Sequence, residues 1–247
     1  MNETTPVLYV FAISHFCEKA RWALDTLGVD YELRHVAPGE HIEIAKKLGA
    51  PGSSLPYLSL DGQVIQGSAD IISWAEKESL SGISLTPDTE VCEQIEERID
   101  DIAGVHVRRY YYSEALVEYP STVRPVFTRE LPLLKKLMIS LAWGKIRKIM
   151  IARMDLGVQQ GEESRSIVDN ELTWIDELLA DGRSYLVGNQ FSRADIAVAS
   201  LLAPLTQPPE HPVYFRLQYP PRIAQELLDW KERPSLKWVN GVYAKHR

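Results

Sequence analysis

The 247-residue sequence predicts a small α/β domain with a mixed sheet followed by an all-helical domain. Two observations carry that expectation. Over residues 1–80, strand-like runs alternate with runs of helical period in the order βαβαββα. From about Thr86 strand signals stop, and apolar residues recur only at helical spacing. A chain of this length can hold two ordinary domains, and a composition of 45% apolar and 25% charged residues is that of a folded protein.

The first strand is Val7 to Phe11. A helix beginning near Glu18 follows, with Phe16, Ala20, Ala23, Leu24 and Leu27 on one face and Gly28 as its C-cap. Tyr31 to Val36 reads as a second strand and His41 to Leu48 as a short helix. After the turn residues Gly49 to Gly52 come the strand Pro56 to Leu60, the tight turn Asp61-Gly62 and the strand Val64 to Gln66. A helix over Ala69 to Glu78 closes the unit, and Ser, Gly and Pro gather at Ser79 to Pro87 as a linker. Helices are expected at Glu90 to Ile102, Leu131 to Arg153, Ser166 to Leu179, Ile196 to Leu202, Gln225 to Trp230 and Leu236 to Lys245.

A formal charge of -7 argues against a nucleic-acid binder, which would carry a basic stripe. No stretch approaches the ~20 apolar residues that cross a bilayer. Met1 to Pro6 has neither the basic start nor the apolar core of a signal peptide. With only Cys17 and Cys92, a disulfide framework is not expected, and a reducing, cytoplasmic setting is.

Ser14-His15-Phe16-Cys17 stands between the first strand and the first helix. There a hydroxyl, a thiol and unpaired backbone N–H groups meet the positive end of a helix dipole, which favours a sulfur anion. Ser14 also fits a plain N-cap. Farther on, Ser192 and Asp195 have the spacing of a capping box, with Phe191 placed to pack on Ile196 as a staple. This is a folding device rather than a catalytic one.

Three features together, Ser14 seven residues before Arg21, the Leu55-Pro56 pair, and Ser68 twelve residues beyond Pro56, give the chain its likeness. Leu8 to Glu78 resembles the thioredoxin-like N-terminal domain of the glutathione S-transferases, and the capped helix at Ser192 resembles the buried helix of their C-terminal domain. Ser14 to Cys17 is similar to the active-site segment of their serine-type and omega-like classes, with serine in the first place and cysteine in the fourth.

The resemblance implies a thioredoxin-like domain over 1–80, a linker at 81–87 and an all-helical domain over 88–247 with a hydrophobic co-substrate site. It implies a glutathione transferase that holds glutathione as thiolate beside Ser14 and conjugates it to a small hydrophobic electrophile, in a detoxifying role and as a homodimer. No metal is expected. Glutathione contacts are expected from Ser14, Phe16, His41, Ser53, Ser54, Leu55, Pro56, Gln66, Gly67 and Ser68. Leu55-Pro56 is expected to be cis, presenting the Leu55 backbone to the ligand's own backbone. Ser68, just before the helix at Ala69, is expected to hold the γ-glutamyl carboxylate. Gly67 departs from the acid or amide usual there, with Gln66 placed to compensate. Tyr110, Tyr111 and Tyr112 are expected in the co-substrate pocket.

Two other readings stand beside this one. Cys17 could serve a glutathione-dependent thiol oxidoreductase, although a position inside the first turn favours burial. A non-catalytic binding protein of the same fold is the other, supported by Gly67 and by the length of the region from 104 to 161. His15 reads as a surface histidine. The acid-free stretch from Leu131 to Met154, carrying Lys135, Lys136, Lys145, Arg147, Lys148 and Arg153, reads as a helix with a solvated basic face, with a membrane surface or an anionic substrate as the alternative.

Overall fold

A computed structural model describes residues 5–213 and 217–247; Met1 to Thr4, most of the stretch that lacks a signal-peptide pattern, lies outside them. The chain divides into two compact units. One comprises residues 1–85 together with 127–142, the other 86–126 and 143–247.

The first unit is built on a four-stranded sheet of β1 (Val7–Val10), β2 (Glu32–His35), β3 (Tyr57–Leu60) and β4 (Gln63–Gln66), in the order β2-β1-β3-β4. β1 runs parallel to β2, as a helical crossover requires, and antiparallel to β3, which pairs antiparallel with β4. The β3–β4 turn is made by Asp61 and Gly62, both at positive φ (48° and 80°), the backbone that lets a two-residue loop follow the strand twist.

The crossover helix α1 (His15–Thr26) starts three residues earlier than its apolar period indicates, because Ser14 caps it. It ends where Gly28 takes φ 66°, with the Gly28 N–H on the Asp25 carbonyl and the Val29 N–H on the Leu24 carbonyl. α2 (Glu40–Leu48) and α3 (Ser68–Glu78) complete the βαβαββα order. Side chains alternate across β1. Tyr9 joins Val36, Ala45 and Tyr57 in a cluster flanked by Ile44 and Leu48 of α2. Leu8 and Val10 point the other way and are buried along with Trp22, Leu24, Ile71 and Ile72 of α1 and α3.

The second unit is helical. α4 (Thr89–Arg98), capped by the Asp88 carboxylate on the Val91 N–H, passes through a π-helical segment, Ile99–Gly104, into α5 (Val105–Ala115). α6 (Pro120–Thr128) has no counterpart in the sequence reading, since Pro120 and Pro125 mask its period. α7 (Leu133–Met154) follows. α8 (Val158–Leu178) begins eight residues before the amphipathic stretch read at Ser166. α9 (Arg193–Thr206) is buried along nearly its whole length, and α10 (Pro221–Trp230) and α11 (Pro234–His246) close the chain.

The capping box at Ser192 is present in full. Asp195 accepts from the Leu186 N–H (2.8 Å), the Ser192 N–H (2.8 Å) and the Ser192 hydroxyl (2.6 Å). Phe191 is stacked on the His246 ring at 4.0 Å. Beside the box, Arg193 reaches Glu96 of α4 at 2.6 Å in a buried ion pair, which ties α9 to α4. Among the described residues no helix is long and apolar enough to cross a membrane.

Candidate active site

Sheet topology brings three of the sequence-derived residues to one end of the first unit. β1 and β3 are antiparallel with Tyr9 opposite Tyr57, so the segment leaving β1, Phe11 to Ser14, lies beside the segment entering β3, Leu55-Pro56. Tyr57 pairs with Gln66, the last residue of β4, so the start of α3 at Ser68 falls at the same end.

Ser14 takes extended backbone angles, its N–H bonded to the Phe11 carbonyl at 3.0 Å. Its Oγ accepts from the Cys17 N–H at 3.3 Å, as an N-cap does. A hydroxyl has one donor besides its acceptor sites, so the O–H remains available to a neighbouring anion. Ser14 is half-buried, as is Phe16.

Leu55-Pro56 is cis. The Pro56 carbonyl accepts from the Gly67 N–H at 3.0 Å. Gln66 is engaged at both ends of its amide. Its Oε1 accepts from the Gly52 N–H at 2.7 Å, and its Nε2 donates to the Ser54 carbonyl at 2.7 Å and the Ser54 hydroxyl at 3.3 Å. It therefore fastens the loop that leads into Leu55 and is not held in reserve for a ligand. Gly67 is the N-cap of α3 at φ 102°, a backbone region that residues with a Cβ rarely adopt, which accounts for glycine where the resemblance leads one to expect an acid or amide. Ser68 is thus the first helical residue rather than the one before the helix, and it is 4% exposed.

His41 is held by its surroundings. Its Nδ1 accepts from the Gly39 N–H at 3.1 Å, its carbonyl accepts from the Tyr57 hydroxyl at 3.1 Å, and its ring meets Phe11 edge-on at 4.8 Å. Phe127 packs on the same Phe11 ring at 5.9 Å, and Lys135 pairs with Glu40 at 2.5 Å. The segment 127–142 is therefore part of this unit, beside the strand that delivers Ser14. Nothing in its period or composition signals that placement, because the ring contact and the ion pair join residues distant in sequence.

Two expectations are corrected here. Cys17 is 1% exposed, and burial pushes its thiol up to about 11; the Ser14 hydroxyl, the Phe11 backbone and Arg21 offset this only in part. Such a thiol holds its proton at neutral pH, so the oxidoreductase reading loses its nucleophile. At pH 8 about one Cys17 in a thousand is thiolate. Cys17 and Cys92 are both buried, so native protein should react negligibly with Ellman's reagent over minutes while denatured protein releases two equivalents. Rapid labelling of one thiol in the native state would reverse this assignment. His15 is 4% exposed and stacks on Phe16 at 4.8 Å, so it is not a surface histidine.

The three tyrosines, all in the second unit, do not share one pocket. Tyr110 borders a cavity of about 300 Å³ whose other walls include Glu114, Glu162, Arg165 and Glu226. Arg165 is paired with Glu226 at 2.5 Å there, so the cavity is charged rather than apolar. Tyr111 packs edge-on against Tyr219 at 5.9 Å and tilts against Tyr112 at 5.3 Å, and both rings are buried. Burial raises all three phenols, Tyr111 to about 12.

A thioredoxin-like unit with a capped serine at the first helix, followed by a helical unit holding a capping-box helix, defines a class. The chain matches the glutathione S-transferase N-terminal domain family over residues 8–79 and the C-terminal domain family over 158–236. It belongs to the glutathione S-transferase superfamily. It is 25% identical to "Glutathione S-transferase TCHQD" of Arabidopsis thaliana, over 96% of this chain and 90% of that protein. Among solved structures it is similar to the beta-etherase LigF of Sphingobium sp. strain SYK-6 (TM-score 0.58, 20% identity, 96% of this chain and 98% of that one). It is also similar to the transferase CsGST63524 of Ceriporiopsis subvermispora, solved in complex with glutathione (TM-score 0.62, 15% identity, 99% and 98%).

Proposed function

We propose that the protein is a glutathione transferase that binds glutathione as thiolate and conjugates it to a small hydrophobic electrophile. The observation that carries this reading is the position of Ser14, capping α1 at the sheet end that also holds the Leu55 backbone and the start of α3. The Ser14 hydroxyl donates to the sulfur, the Leu55 backbone pairs with the tripeptide backbone, and Ser68 with the α3 N-terminus takes the γ-glutamyl carboxylate. Phe16, His41, Ser54, Pro56, Gln66 and Gly67 shape the remaining walls, Gln66 by fixing the loop.

Holding a thiol of ordinary pKa as thiolate at neutral pH needs a shift of about 2 units, or ~2.7 kcal/mol. A hydrogen bond to the anion supplies about 1.5–3 kcal/mol and the helix terminus up to ~2, so no separate base is required. Proximity to the bound electrophile supplies the rest. The homodimer, the cytoplasmic setting, the seating of the electrophile near Tyr110 to Tyr112, and the partition at 81–87 belong to the same proposal.

Calorimetric titration with glutathione should show one site per chain, and a panel containing a chlorodinitrobenzene, an isothiocyanate and a mixed disulfide should show conjugation of at least one electrophile. Uptake of glutathione with no turnover across the panel would leave a binding protein of the same fold. Absence of uptake would end the proposal.

A further inference from the structure

α7 is apolar on the side it should show to water. Leu133, Leu134, Leu137, Met138 and Leu141 are 58–84% exposed, and their spacing puts them on one arc of the helix, while Ile139 on the opposite side is 7% exposed. Isolated exposed leucines are ordinary; five contiguous apolar side chains on one helix face are not. The same arc continues toward the C-terminal end with Lys145, four residues after Leu141, and Lys148, seven after it, both exposed. Between Leu131 and Met154 there is no carboxylate, in a chain whose formal charge is -7.

We propose that the exposed arc of α7 docks on the surface of an anionic lipid bilayer, with the apolar side chains seated among the acyl chains at the interface and Lys145 and Lys148 against the headgroups. The charge pattern selects this occupant. A lipid surface is negative throughout and meets lysines along the whole arc. A second copy related by a two-fold axis would bring lysines of one sign into a common interface with no carboxylate from this helix to neutralise them. The 22 residues of α7, lying flat, give a contact roughly 33 Å long without spanning the bilayer. The proposal is independent of the thiol chemistry at Ser14.

The full chain is incubated with phosphatidylcholine vesicles, with and without about a third phosphatidylserine, and pelleted at low and high salt. Binding to the anionic vesicles is expected to exceed binding to the neutral ones on the order of tenfold and to fall with salt. Leu134→Gln/Leu137→Gln/Leu141→Gln should abolish it, and Lys145→Glu/Lys148→Glu should remove the salt-sensitive part. Both variants change exposed positions, and unaltered circular dichroism confirms that they fold. Equal pelleting with and without vesicles overturns the proposal, as does undiminished binding by the triple-glutamine variant. A concentration-dependent dimer that the triple variant dissociates, without lipid binding, also overturns it in favour of a second copy.

Discussion

Asp195→Ala is expected to lower the stability of the native chain by about 3 kcal/mol or more, well beyond the effect of an ordinary point substitution. The carboxylate accepts from two buried N–H groups, of Leu186 and Ser192, and from the Ser192 hydroxyl. Alanine leaves all three without an acceptor where water does not reach, since Asp195 and Ser192 are both 0% exposed. Loss of an ordinary exposed cap costs only about 1 kcal/mol, so denaturant unfolding followed by circular dichroism distinguishes the two cases. A loss no larger than that would show that water or rearranged backbone satisfies the donors. Asp195→Asn keeps an acceptor and should fall between.

The Asp195 carboxyl also gives stability a pH dependence. Burial pushes it up to about 6, outweighing the Ser192 hydroxyl and the Leu186 and Ser192 N–H groups, which pull it down. Because the folded value lies above the ordinary carboxylate value of about 3.9, the stabilising contribution is complete below that pH and is lost as pH rises through about 6. The stability gap between the native chain and Asp195→Asn should therefore narrow from pH 4 to pH 7. A gap that widens would mean that the carboxylate is the favoured buried form.

Ser14→Ala should reduce kcat/KM for conjugation by about 10- to 100-fold and raise the pKa of bound glutathione by about 1–2 units, read from thiolate absorbance against pH. Because Ser14 also caps α1, the same change should cost about 1 kcal/mol of stability, and activity alone would confound the two roles. Ser14→Asp separates them. Aspartate caps as well as serine, so stability is kept, while it offers the sulfur no donor and adds a like charge, so the thiolate is lost. Ser14→Thr retains cap and donor and should retain rate. If the thiolate pKa of the alanine variant matches that of the native protein, Ser14 acts only as a cap.

Much of the first unit is legible in the sequence because its signals are local. Val7 to Phe11, the Asp61-Gly62 turn and the period of α1 each declare themselves within a few residues, and the capping box needs only Ser192 and Asp195. The apolar period misplaces the start of α1 because the N-cap, not that period, begins the helix. Two prolines interrupt the pattern of α6 and hide it, while Gly161 and the polar residues around it dilute the apolar face of α8 and shorten its reading. The serine at position 14 and the Leu55-Pro56 pair are visible as motifs. The engagement of Gln66 with the 52–54 loop is not, since it depends on β4 bringing residue 66 beside residues 14 and 12 positions earlier.

By itself the sequence determined the order of elements, the two-part organisation, the capping box and the residues fit to hold a thiolate, all of which follow from chemistry between near neighbours. Tertiary structure alone decided which side chains are cut off from water. Cys17 and His15 lie in the first turn next to a half-buried serine, yet packing buries both, and Phe127 and Lys135 fall beside Phe11 and Glu40 rather than with the helices around them. Desolvation is set by every atom that surrounds a group, and those atoms come from distant parts of the chain, so no local pattern records it.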